Sequence, residues 1–564
     1  MRKDAERSVD VPSGAAVVKR RTQEFGKETT VYMSNQTERE RYGDQSLTMG
    51  ERAKNKIFGV IYGRTAVVLL LLLLQIGIMV FTLTFLENYA SYLYGVFVIL
   101  SMAAVIYIIN EKESNPAFKM TWLLLVLLVP VVGVGFYIYV KMDFGTRYMG
   151  KRLQVLRHET EPFMQQNENV VKAMRSSRLA NTNLSHFLCH QVGFPTYSNT
   201  TAQYFPLGDD KFPVLVEELK KAEKYIFMEY FIVQEGIMWN TVLAILEEKA
   251  AEGVEVRFMY DGTCSVSQLP YEYPEELKAK GIRCKVFAPV RPIMTTTQNN
   301  RDHRKICVID GKVAFTGGVN LADEYINKKV RFGHWKDTAI MLKGDAVQSF
   351  TMMFLQLWNI DEKEPELYRS YLTRKHRNFS RETGYMIPYG DSPYDHENVG
   401  EEVYIHILNH AKQYVHIMTP YLILDNEMMT ALKRAAKSGI EVQIIMPHIP
   451  DKPYAFYLAK TYYAELIESG VQIFEYLPGF VHAKVFTSDD DTATVGTVNL
   501  DFRSLYLHFE CGVFIYHNPV VYDIEQDFQK TLAVSQKVTL TDVKNRSLLI
   551  QIYGQLLRLI APLM

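Results

Sequence analysis

Two stretches of the sequence decide the fold: His303-Arg-Lys-Ile-Cys-Val-Ile-Asp310 and His482-Ala-Lys-Val-Phe-Thr-Ser-Asp489. Both have the spacing HxKxxxxD, and both are followed, the same number of positions downstream, by a Gly-x-x-Asn sequence that ends at Asn320 or at Asn499. A single HxKxxxxD match occurs often by chance, because it fixes so few positions. Two copies with matching downstream asparagines indicate that the chain carries a duplication.

The duplication extends upstream of both motifs. Segment 222–257 has a counterpart in segment 411–443, and each is typical of a strand, an amphipathic helix (242–251 and 428–437), a glycine stop and a second strand. Apolar strands that alternate with helices predict an α/β fold with largely parallel sheets. We therefore predict two α/β domains related by a pseudo-twofold axis, at 146–390 and 391–540.

The paired motifs also predict a chemistry. Residues two apart on a strand project from the same face, so His303 points with Lys305 and His482 points with Lys484. If the two strands meet, two imidazoles, two ammonium groups and two asparagine amides surround one point. Such a set suits a phosphate, whose transition state gathers negative charge on its non-bridging oxygens. One imidazole can attack phosphorus to give a phospho-histidine, while the other protonates the leaving alkoxide and later deprotonates the incoming hydroxyl.

Each histidine needs a partner that fixes its tautomer. The candidates are Asp337 and Glu510, which occupy comparable places after the two asparagines; the alternative for both is a surface salt bridge. Asp310 and Asp489 complete the motifs and are counted with the catalytic residues. A positional role is favoured over proton transfer for both, because Asp310-Gly311 is typical of a hairpin turn and Asp489 opens a run of three aspartates.

Composition excludes several classes of protein. The 564 residues are 48% hydrophobic and 22% charged, with a formal net charge of -1, which gives no electrostatic case for nucleic acid binding. No GxxxxGK[ST] or GxGxxG sequence stands in a strand–turn–helix setting, so no nucleotide site is predicted. His406 and His410 lie four apart on a predicted helix without the HExxH glutamate, which favours a solvated helix face over a metal site.

The cysteines predict neither a disulfide framework nor a zinc site. They are scattered, odd in number and without a CxxC pair, which is typical of buried free thiols. They are Cys189, Cys264, Cys284, Cys307 and Cys511. We predict no metal and no cofactor.

The N-terminal region is unlike the rest of the chain. Residues 1–56 are polar and are predicted to form a disordered tail. Within 57–145 follow uncharged apolar runs at about 65–86, 89–110 and 120–140, each long enough to cross a bilayer as a helix. Buried core helices are the alternative. We predict a multi-pass transmembrane region.

The orientation of this region stays open in the sequence. Basic residues before the first run place the tail in the cytoplasm, whereas basic residues after the third run oppose a simple three-span topology. A re-entrant third run, which Pro130 and two glycines interrupt, would resolve the conflict. At the other end, residues 541–564 are predicted to form an amphipathic helix, either at the bilayer surface or packed on the domain.

The paired motifs resemble those of the phospholipase D superfamily, and from about residue 115 onward the chain resembles bacterial cardiolipin synthases. The matching stretches are Asn115-Pro-Ala-Phe-Lys119, the first motif through Gly318, and the segment from Gly496 to Ser504. The resemblance implies that two phosphatidylglycerols are condensed into cardiolipin and glycerol, without metal or nucleotide, at the bacterial plasma membrane. The chain departs from the family at Thr497, where serine is usual, and in its three apolar runs, where two spans are usual.

The resemblance also implies roles for individual residues. His303 and His482 would be the catalytic pair, with His303 favoured as the nucleophile, and the phosphate would be bound by Lys305, Lys484, Asn320 and Asn499. Alternatives with the same motifs are a phospholipase D hydrolase and a synthase that uses another alcohol, such as phosphatidylserine synthase. An endonuclease is disfavoured by the apolar runs and the neutral charge, and a non-catalytic scaffold is disfavoured by the complete motifs.

Overall fold

The computed structural model describes residues 89–563, apart from 113–114, 142–143, 177–180, 291–295, 365, 373–383 and 396, together with isolated residues between 73 and 85. The tail predicted for 1–56 lies outside the described residues, as does most of the apolar run at 65–86. The described residues all belong to one compact unit.

Among the N-terminal helices, one coincides with the apolar run predicted at 89–110, whereas the run at 120–140 is not a single helix. The N-terminal helices are α1 (Ala90–Asn110), α2 (Pro116–Leu128), α3 (Pro130–Lys141) and α4 (Phe144–Thr160). The apolar run predicted as one helix at 120–140 is divided between α2 and α3. The reason is Pro130, which has no backbone N–H and disfavours helical geometry at the residue before it. In the described part of the chain, no helix combines the length and the apolar character needed to cross a membrane, so the multi-pass region is not confirmed.

The first half of the chain builds a sheet flanked by helices. Its strands are β1 (Thr200–Phe205), β2 (Tyr225–Tyr230), β3 (Glu255–Asp261), β4 (Arg283–Phe287), β5 (Ile306–Ile309), β6 (Val313–Gly317), β7 (His334–Lys336) and β8 (Ala339–Gly344). Its helices are α5 (Glu168–Ser176), α6 (Thr182–Phe187), α7 (Gly208–Lys220), α8 (Ile237–Ala251), α9 (Cys264–Ser267), α10 (Tyr273–Ala279) and α11 (Val347–Trp358). The strand order is β1-β8-β6-β5-β2-β3-β4.

The second half repeats this arrangement. Its strands are β9 (Tyr385–Asp391), β10 (Tyr414–Met418), β11 (Glu441–Pro447), β12 (Gln472–Tyr476), β13 (Gly479–Val481), β14 (Val485–Ser488), β15 (Thr492–Gly496), β16 (Glu510–Tyr516) and β17 (Ser535–Lys537). Its helices are α12 (Val399–His410), α13 (Asn426–Lys437), α14 (Pro453–Glu468), α15 (Phe502–Tyr506), α16 (Val520–Leu532), α17 (Leu540–Lys544) and α18 (Leu548–Leu559). The strand order is β17-β12-β11-β10-β14-β15-β16-β9.

The α/β class is confirmed, but the prediction of largely parallel sheets is wrong. In the first sheet β2, β3 and β4 are parallel neighbours, as are β10, β11 and β12 in the second, and the other neighbouring strands of both sheets are antiparallel. The cause is a tight turn after each motif strand. Asp310 and Gly311 have φ of 54° and 62°, and Asp489 and Asp490 have φ of 54° and 57°, so the chain reverses into a hairpin. Hairpin strands are antiparallel.

Two features join the halves. The short strand β7 of the first half pairs in parallel with β13 of the second. The buried helix α11 lies in an apolar core that includes Phe227 and Val308 of the first sheet and Val415 and Phe514 of the second. Burial of this shared core fixes the sheets against each other, and residues that follow β7 and β13 are thereby brought to the same place.

The C-terminal helix α18 packs on the domain, which is one of the two alternatives left open by the sequence. One face packs on α14, where Gly554 meets Thr461 and the rings of Tyr457 and Tyr553 lie 6.1 Å apart. The other face leaves large apolar side chains exposed: Leu548, Leu549, Ile552, Leu556 and Leu559.

His406, His410 and the five cysteines are the remaining residues whose side chains were considered as metal ligands or disulfide partners in the sequence. His406 and His410 stack on α12 with ring centroids 3.9 Å apart, and His406 Nε2 lies 2.7 Å from Asn181 Oδ1. The five cysteines are free, and Cys264 and Cys307 are among the buried ones.

Candidate active site

The first motif lies at the amino end of β5, in an extended segment that precedes the strand. The expectation that His303 and Lys305 are strand residues is therefore wrong, since β5 begins at Ile306. The segment is held from the other half of the chain: Asp302 forms a parallel bridge with Phe509, and the backbone N–H of His303 donates to the Phe509 carbonyl at 2.9 Å. This pairing sets the imidazole of His303 beside the start of β16.

The partner of His303 is Glu510, the first residue of β16. Nδ1 of His303 lies 2.9 Å from each carboxylate oxygen, and the carboxylate is fully buried. A buried carboxylate accepts a hydrogen bond from the N–H at Nδ1, so Nε2 of the neutral imidazole carries the free lone pair. The arrangement holds one tautomer of His303 and points its basic nitrogen away from Glu510.

The second motif repeats this arrangement with the halves exchanged. His482 and Lys484 precede β14, which begins at Val485, so they too lie ahead of the strand. The backbone N–H of His482 donates to the Lys336 carbonyl at 2.7 Å, which continues the β7–β13 pairing, and Nδ1 lies 2.6 Å from Asp337 Oδ2. Each half therefore supplies the carboxylate for the histidine of the other half.

Burial and neighbouring positive charge keep both imidazoles neutral. Burial lowers the pKa of His303 well below its usual range, and Lys305, Lys484 and His482 lower it further. Burial lowers the pKa of His482 to about 4, aided by Lys484, while Asp337 raises it. A charge shifts a pKa appreciably only when it lies nearby. Because Lys305 and Lys484 lower the pKa of both histidines, the two histidines and the two lysines lie in one site.

The two lysines have equivalent positions. Lys305 Nζ donates to the carbonyl of His303, and Lys484 Nζ donates to the carbonyl of His482. Burial lowers the pKa of Lys305 to about 8 and that of Lys484 to about 7, against the opposing effect of the buried carboxylates. An anion that enters between them stabilises both charged forms.

The two asparagines differ. Asn499 is buried, and its Oδ1 has no hydrogen-bond partner within the described residues. In Asn320, by contrast, Oδ1 accepts from the backbone N–H of Ile232 at 2.9 Å and Nδ2 donates to the Tyr325 hydroxyl at 2.8 Å. The amide of Asn320 therefore links the segment after β2 to Tyr325. The sequence repeat does not predict this structural role.

The aspartates of the motifs lie in turns, and their contacts fit the positional role that the sequence favours over proton transfer. The carboxylate of Asp310 accepts from the backbone N–H groups of 223–225 at 2.8–3.0 Å, and that of Asp489 accepts from those of 412–414 at 2.7–3.1 Å. Each lies at the far end of its strand from the histidine. They fix the loop that leads into β2 or β10.

Two contacts at the carboxylates were not predicted. Thr497 Oγ1 donates to Glu510, and the same oxygen accepts from the backbone N–H of Cys511 at 2.9 Å. At the matching position of the first half stands Gly318, where an added Cβ would lie 2.0 Å from Asp337 Oδ1. The Thr497 hydroxyl therefore positions the Glu510 carboxylate, whereas glycine at 318 leaves the space that the Asp337 carboxylate occupies. The signal in sequence was the difference between Gly-Gly-Val-Asn and Gly-Thr-Val-Asn.

Aromatic rings line the site. Phe231 lies edge-on to His303 with centroids 4.9 Å apart, and Trp335, Phe480 and Tyr325 lie within 5.4–5.7 Å of the His482 ring. These rings exclude water and strengthen the electrostatic interactions among the buried groups.

The site also contains a set of groups with the character of metal ligands. Ligand atoms of His303, His508 and Glu510 lie within 4.8 Å of one another, and all three residues are buried. His303 and Glu510 are hydrogen-bonded to each other. This arrangement is typical of a histidine that transfers a proton or acts as a nucleophile. His508, which lies outside both motifs, is two residues before Glu510 in the Leu-His-Phe-Glu sequence.

Comparison with known proteins agrees with this geometry. A sequence profile described as the PLD-like domain of cardiolipin synthase matches residues 215–358 and 404–532, which contain both motifs. A cardiolipin synthase of Geobacillus sp. is 33% identical over 467 residues, which cover 82% of this chain and 92% of that one. The chain belongs to the cardiolipin synthase family of the phospholipase D superfamily.

Three further similarities were found. A profile described as phospholipase D-nuclease N-terminal matches residues 99–141, the region of α1 to α3. An uncharacterized protein of Streptococcus mutans is 49% identical over 463 residues, 82% of this chain and 100% of that one. Among solved structures, phosphatidylserine synthase from Haemophilus influenzae superposes with a TM-score of 0.49 at 14% identity, over 64% of this chain and 93% of that one.

Proposed function

We propose that this protein is a cardiolipin synthase: it transfers the phosphatidyl group of one phosphatidylglycerol to the headgroup hydroxyl of another and releases glycerol. The observation that carries the proposal is the pair of buried histidine–carboxylate contacts, His303 with Glu510 and His482 with Asp337, within a chain of the cardiolipin synthase family. Two neutral imidazoles beside two lysines suit attack on an anionic phosphodiester.

In the first half-reaction His303 is the nucleophile. Its Nε2 lone pair forms a bond to phosphorus, and the bond from phosphorus to the glycerol oxygen breaks. His482 donates a proton from Nε2 to that oxygen, so glycerol leaves as a neutral alcohol. The pKa of His482 is about 4 before substrate binds, and the negative charge of the phosphodiester favours the protonated imidazole, so the proton is taken up with the substrate.

In the second half-reaction the same groups work in reverse. Nε2 of His482 takes the proton of a headgroup hydroxyl on the second phosphatidylglycerol, the hydroxyl oxygen bonds to phosphorus, and the bond to His303 breaks. Cardiolipin leaves, His303 regains its lone pair, and His482 releases to solvent the proton it took from the hydroxyl, because its pKa is again about 4. One phosphodiester replaces another at nearly equal free energy, so the exchange needs no nucleotide.

The positive side chains stabilise the phosphate through both steps. Lys305 and Lys484 approach the site from opposite halves, and each gains from an anion because burial depresses its pKa. The amide of Asn499 adds a further polar group, whereas Asn320 acts mainly through Ile232 and Tyr325. We assign phosphate binding to the lysines and Asn499, with Asn320 as support.

We further propose that the protein is held in the bacterial plasma membrane by several passes within 57–145, with catalytic halves at 146–390 and 391–540. Exposed apolar side chains on α1 support this, among them Ile99, Met102 and Ile106. The exposed face of α18 supports a second contact with the bilayer. Both features suit an enzyme whose two substrates are membrane lipids.

The test is a product analysis with purified full-length protein in vesicles that contain phosphatidylglycerol. Mass spectrometry is expected to show cardiolipin and glycerol in equal amounts, with none from His303→Ala or His482→Ala. His410→Ala is the matched control, because it removes an exposed histidine on α12, and it should keep the wild-type rate. Phosphatidic acid without cardiolipin would show a hydrolase and would refute the proposal.

A further inference from the structure

A small cleft of the second half lies beside His482. It is formed where the segments that follow the parallel strands β10, β11 and β12 meet, at the sheet edge where open α/β sheets bind their ligands. Tyr421, Lys452 and Phe480, one from each of these segments, line the cleft. The ring centroids of Phe480 and His482 are 5.7 Å apart. The cleft therefore borders the imidazole that handles the proton in both half-reactions.

Lys452 supplies an exposed positive charge at this cleft. Its Nζ lies over the ring of Tyr421, 4.9 Å from the centroid, which favours one position of a long side chain. No carboxylate of the described residues lies within ion-pair distance of this Nζ. The neighbouring carboxylate, that of Asp451, accepts from the Tyr421 hydroxyl at 2.6 Å. The ammonium is therefore held at the cleft and is open to an anion from solvent or from a lipid.

The same charge also acts on the nucleophile. Burial and the motif lysines are the main causes of the depressed pKa of His303, and Lys452 adds to them. A charge has this effect only when it lies nearby. Lys452 is thus close to both imidazoles, although it belongs to neither motif.

The first half has no counterpart of this lysine. The loop after β3, the strand equivalent to β11, reads Gly262-Thr-Cys-Ser-Val-Ser-Gln-Leu-Pro-Tyr-Glu272 and contains neither lysine nor arginine. The motif lysines are duplicated, one in each half, but of these two loops only the one beside His482 carries a cation. The duplication is therefore broken at the place where the alcohols enter and leave.

The proposed reaction brings a second negative charge to this place. Glycerol leaves from the His482 side, and the acceptor hydroxyl enters there, because that imidazole handles the proton of both. Glycerol is neutral, whereas the acceptor phosphatidylglycerol carries a phosphodiester of its own, separated from the attacking oxygen by the three carbons of its headgroup. Lys305 and Lys484 are then engaged by the phosphate bound to His303, so the second phosphate needs another cation.

We infer that Lys452 binds the phosphodiester of the acceptor lipid and thereby favours phosphatidylglycerol over free glycerol as the attacking alcohol. The inference rests on the proposed function and names a subsite for its second substrate. Helix α14 begins at Pro453, directly after Lys452, and its amino end has no side-chain cap, so its dipole adds to the attraction for an anion. Transfer to the lipid gives cardiolipin, whereas transfer to glycerol only regenerates phosphatidylglycerol.

The experiment is a competition between the two acceptors for one phosphatidyl-enzyme. The full-length protein in phosphatidylglycerol vesicles receives isotope-labelled glycerol, and the initial rates of formation of cardiolipin and of labelled phosphatidylglycerol are measured by mass spectrometry. Both products arise from the same intermediate, so any change in donor binding or in the reactivity of His303 cancels in their ratio. The variants are Lys452→Gln and Lys452→Arg. Lys437→Gln is the matched control, because this exposed lysine precedes β11 and lies at the opposite end of that strand from Lys452.

Lys452→Gln should lower the ratio of cardiolipin to labelled phosphatidylglycerol by about five- to tenfold, as expected for one charge-assisted contact at a partly exposed position. Lys452→Arg keeps the charge and should retain most of the ratio, and Lys437→Gln should leave it unchanged. An unchanged ratio in Lys452→Gln overturns the inference, as does an equal fall in Lys437→Gln. Loss of both products in Lys452→Gln and Lys452→Arg also overturns it, because the residue then serves the fold or the donor step. Wild-type protein that labels phosphatidylglycerol but makes no cardiolipin refutes the proposed function, and the inference with it.

Discussion

Nδ1 of His303 lies 2.9 Å from both carboxylate oxygens of Glu510, although the two residues are 207 positions apart in the chain. His482 and Asp337 are paired in the same crossed manner over 145 positions. Neither half of the chain therefore contains both its motif histidine and the carboxylate that bonds to it. The duplication gives one shared site, and each half depends on the other for the tautomer of its own histidine.

The crossed carboxylates should matter for turnover more than for folding. Glu510→Gln and Asp337→Asn keep the side-chain shape but no longer stabilise the Nδ1–H tautomer, so the rate of cardiolipin formation should fall by about 10²- to 10⁴-fold. Glu525→Gln is the matched control, because Glu525 pairs with His416, a buried histidine that belongs to neither motif, at 2.9 Å. Rates of all three variants are compared at equal folded concentration, measured by thermal melting. A rate for Glu510→Gln within twofold of the wild type would contradict the assignment.

The pH dependence of kcat/KM should be bell-shaped. His303 must be unprotonated to attack phosphorus, and its pKa lies well below the usual range, so activity should fall on the acid side only at strongly acid pH. The lysines must be charged to bind phosphate, and their pKa values are lowered to about 7 for Lys484 and about 8 for Lys305, so activity should fall as pH rises through this range. Lys484→Arg keeps its charge and should move the alkaline limb upward. Constant activity to pH 10 in the wild type would contradict the depressed pKa values.

Gly318 should not tolerate a side chain. Gly318→Ala adds a Cβ 2.0 Å from Asp337 Oδ1, so the carboxylate must move and His482 loses its partner. We expect at least about a 100-fold loss of rate, comparable to the loss in Asp337→Asn. Thr497→Ser, at the matching position of the other half, keeps the hydroxyl that donates to Glu510 and should retain activity. Near-wild-type turnover in Gly318→Ala would show that the position of Asp337 is not critical.

The turn aspartates should affect stability more than chemistry. Asp489→Ala removes the acceptor of the backbone N–H groups of 412–414, and it also places alanine at φ 54°. The free energy of unfolding should fall by about 1–3 kcal/mol. Asp489→Asn, which tolerates this φ and keeps an acceptor oxygen, should lose less. Denaturant unfolding gives the stability, and the rate per folded molecule should stay within a few-fold of wild type. A large loss of rate without loss of stability would return Asp489 to the catalytic set.

The sequence predicted the histidines, lysines and carboxylates of the site because their spacing repeats. It could not predict the crossed pairing, since the choice between Asp337 and Glu510 for each histidine depends on how β7 meets β13 and how Phe509 meets Asp302. These are contacts between distant segments, and no local pattern encodes them.

The errors have a similar origin. Alternating strands and helices predict parallel sheets, but the turns at Asp310 and Asp489 reverse the chain after each motif. Repetition also suggested equal roles for Asn320 and Asn499, whereas the bonds of Asn320 to Ile232 and Tyr325 have no counterpart for Asn499 Oδ1 among the described residues. His508 lies outside the motif spacing, so only its burial and its unpaired nitrogens draw attention to it.

The central claim is that one imidazole attacks phosphorus while the imidazole of the other half handles the proton. The most direct measurement is to mix the full-length enzyme with phosphatidylglycerol, stop the reaction with denaturant at alkaline pH, and locate the phosphorylated residue by peptide mass spectrometry. The account predicts an adduct on His303, absent from His303→Ala and never found on His482. An adduct on His482, or turnover by His303→Ala at the wild-type rate, would contradict it.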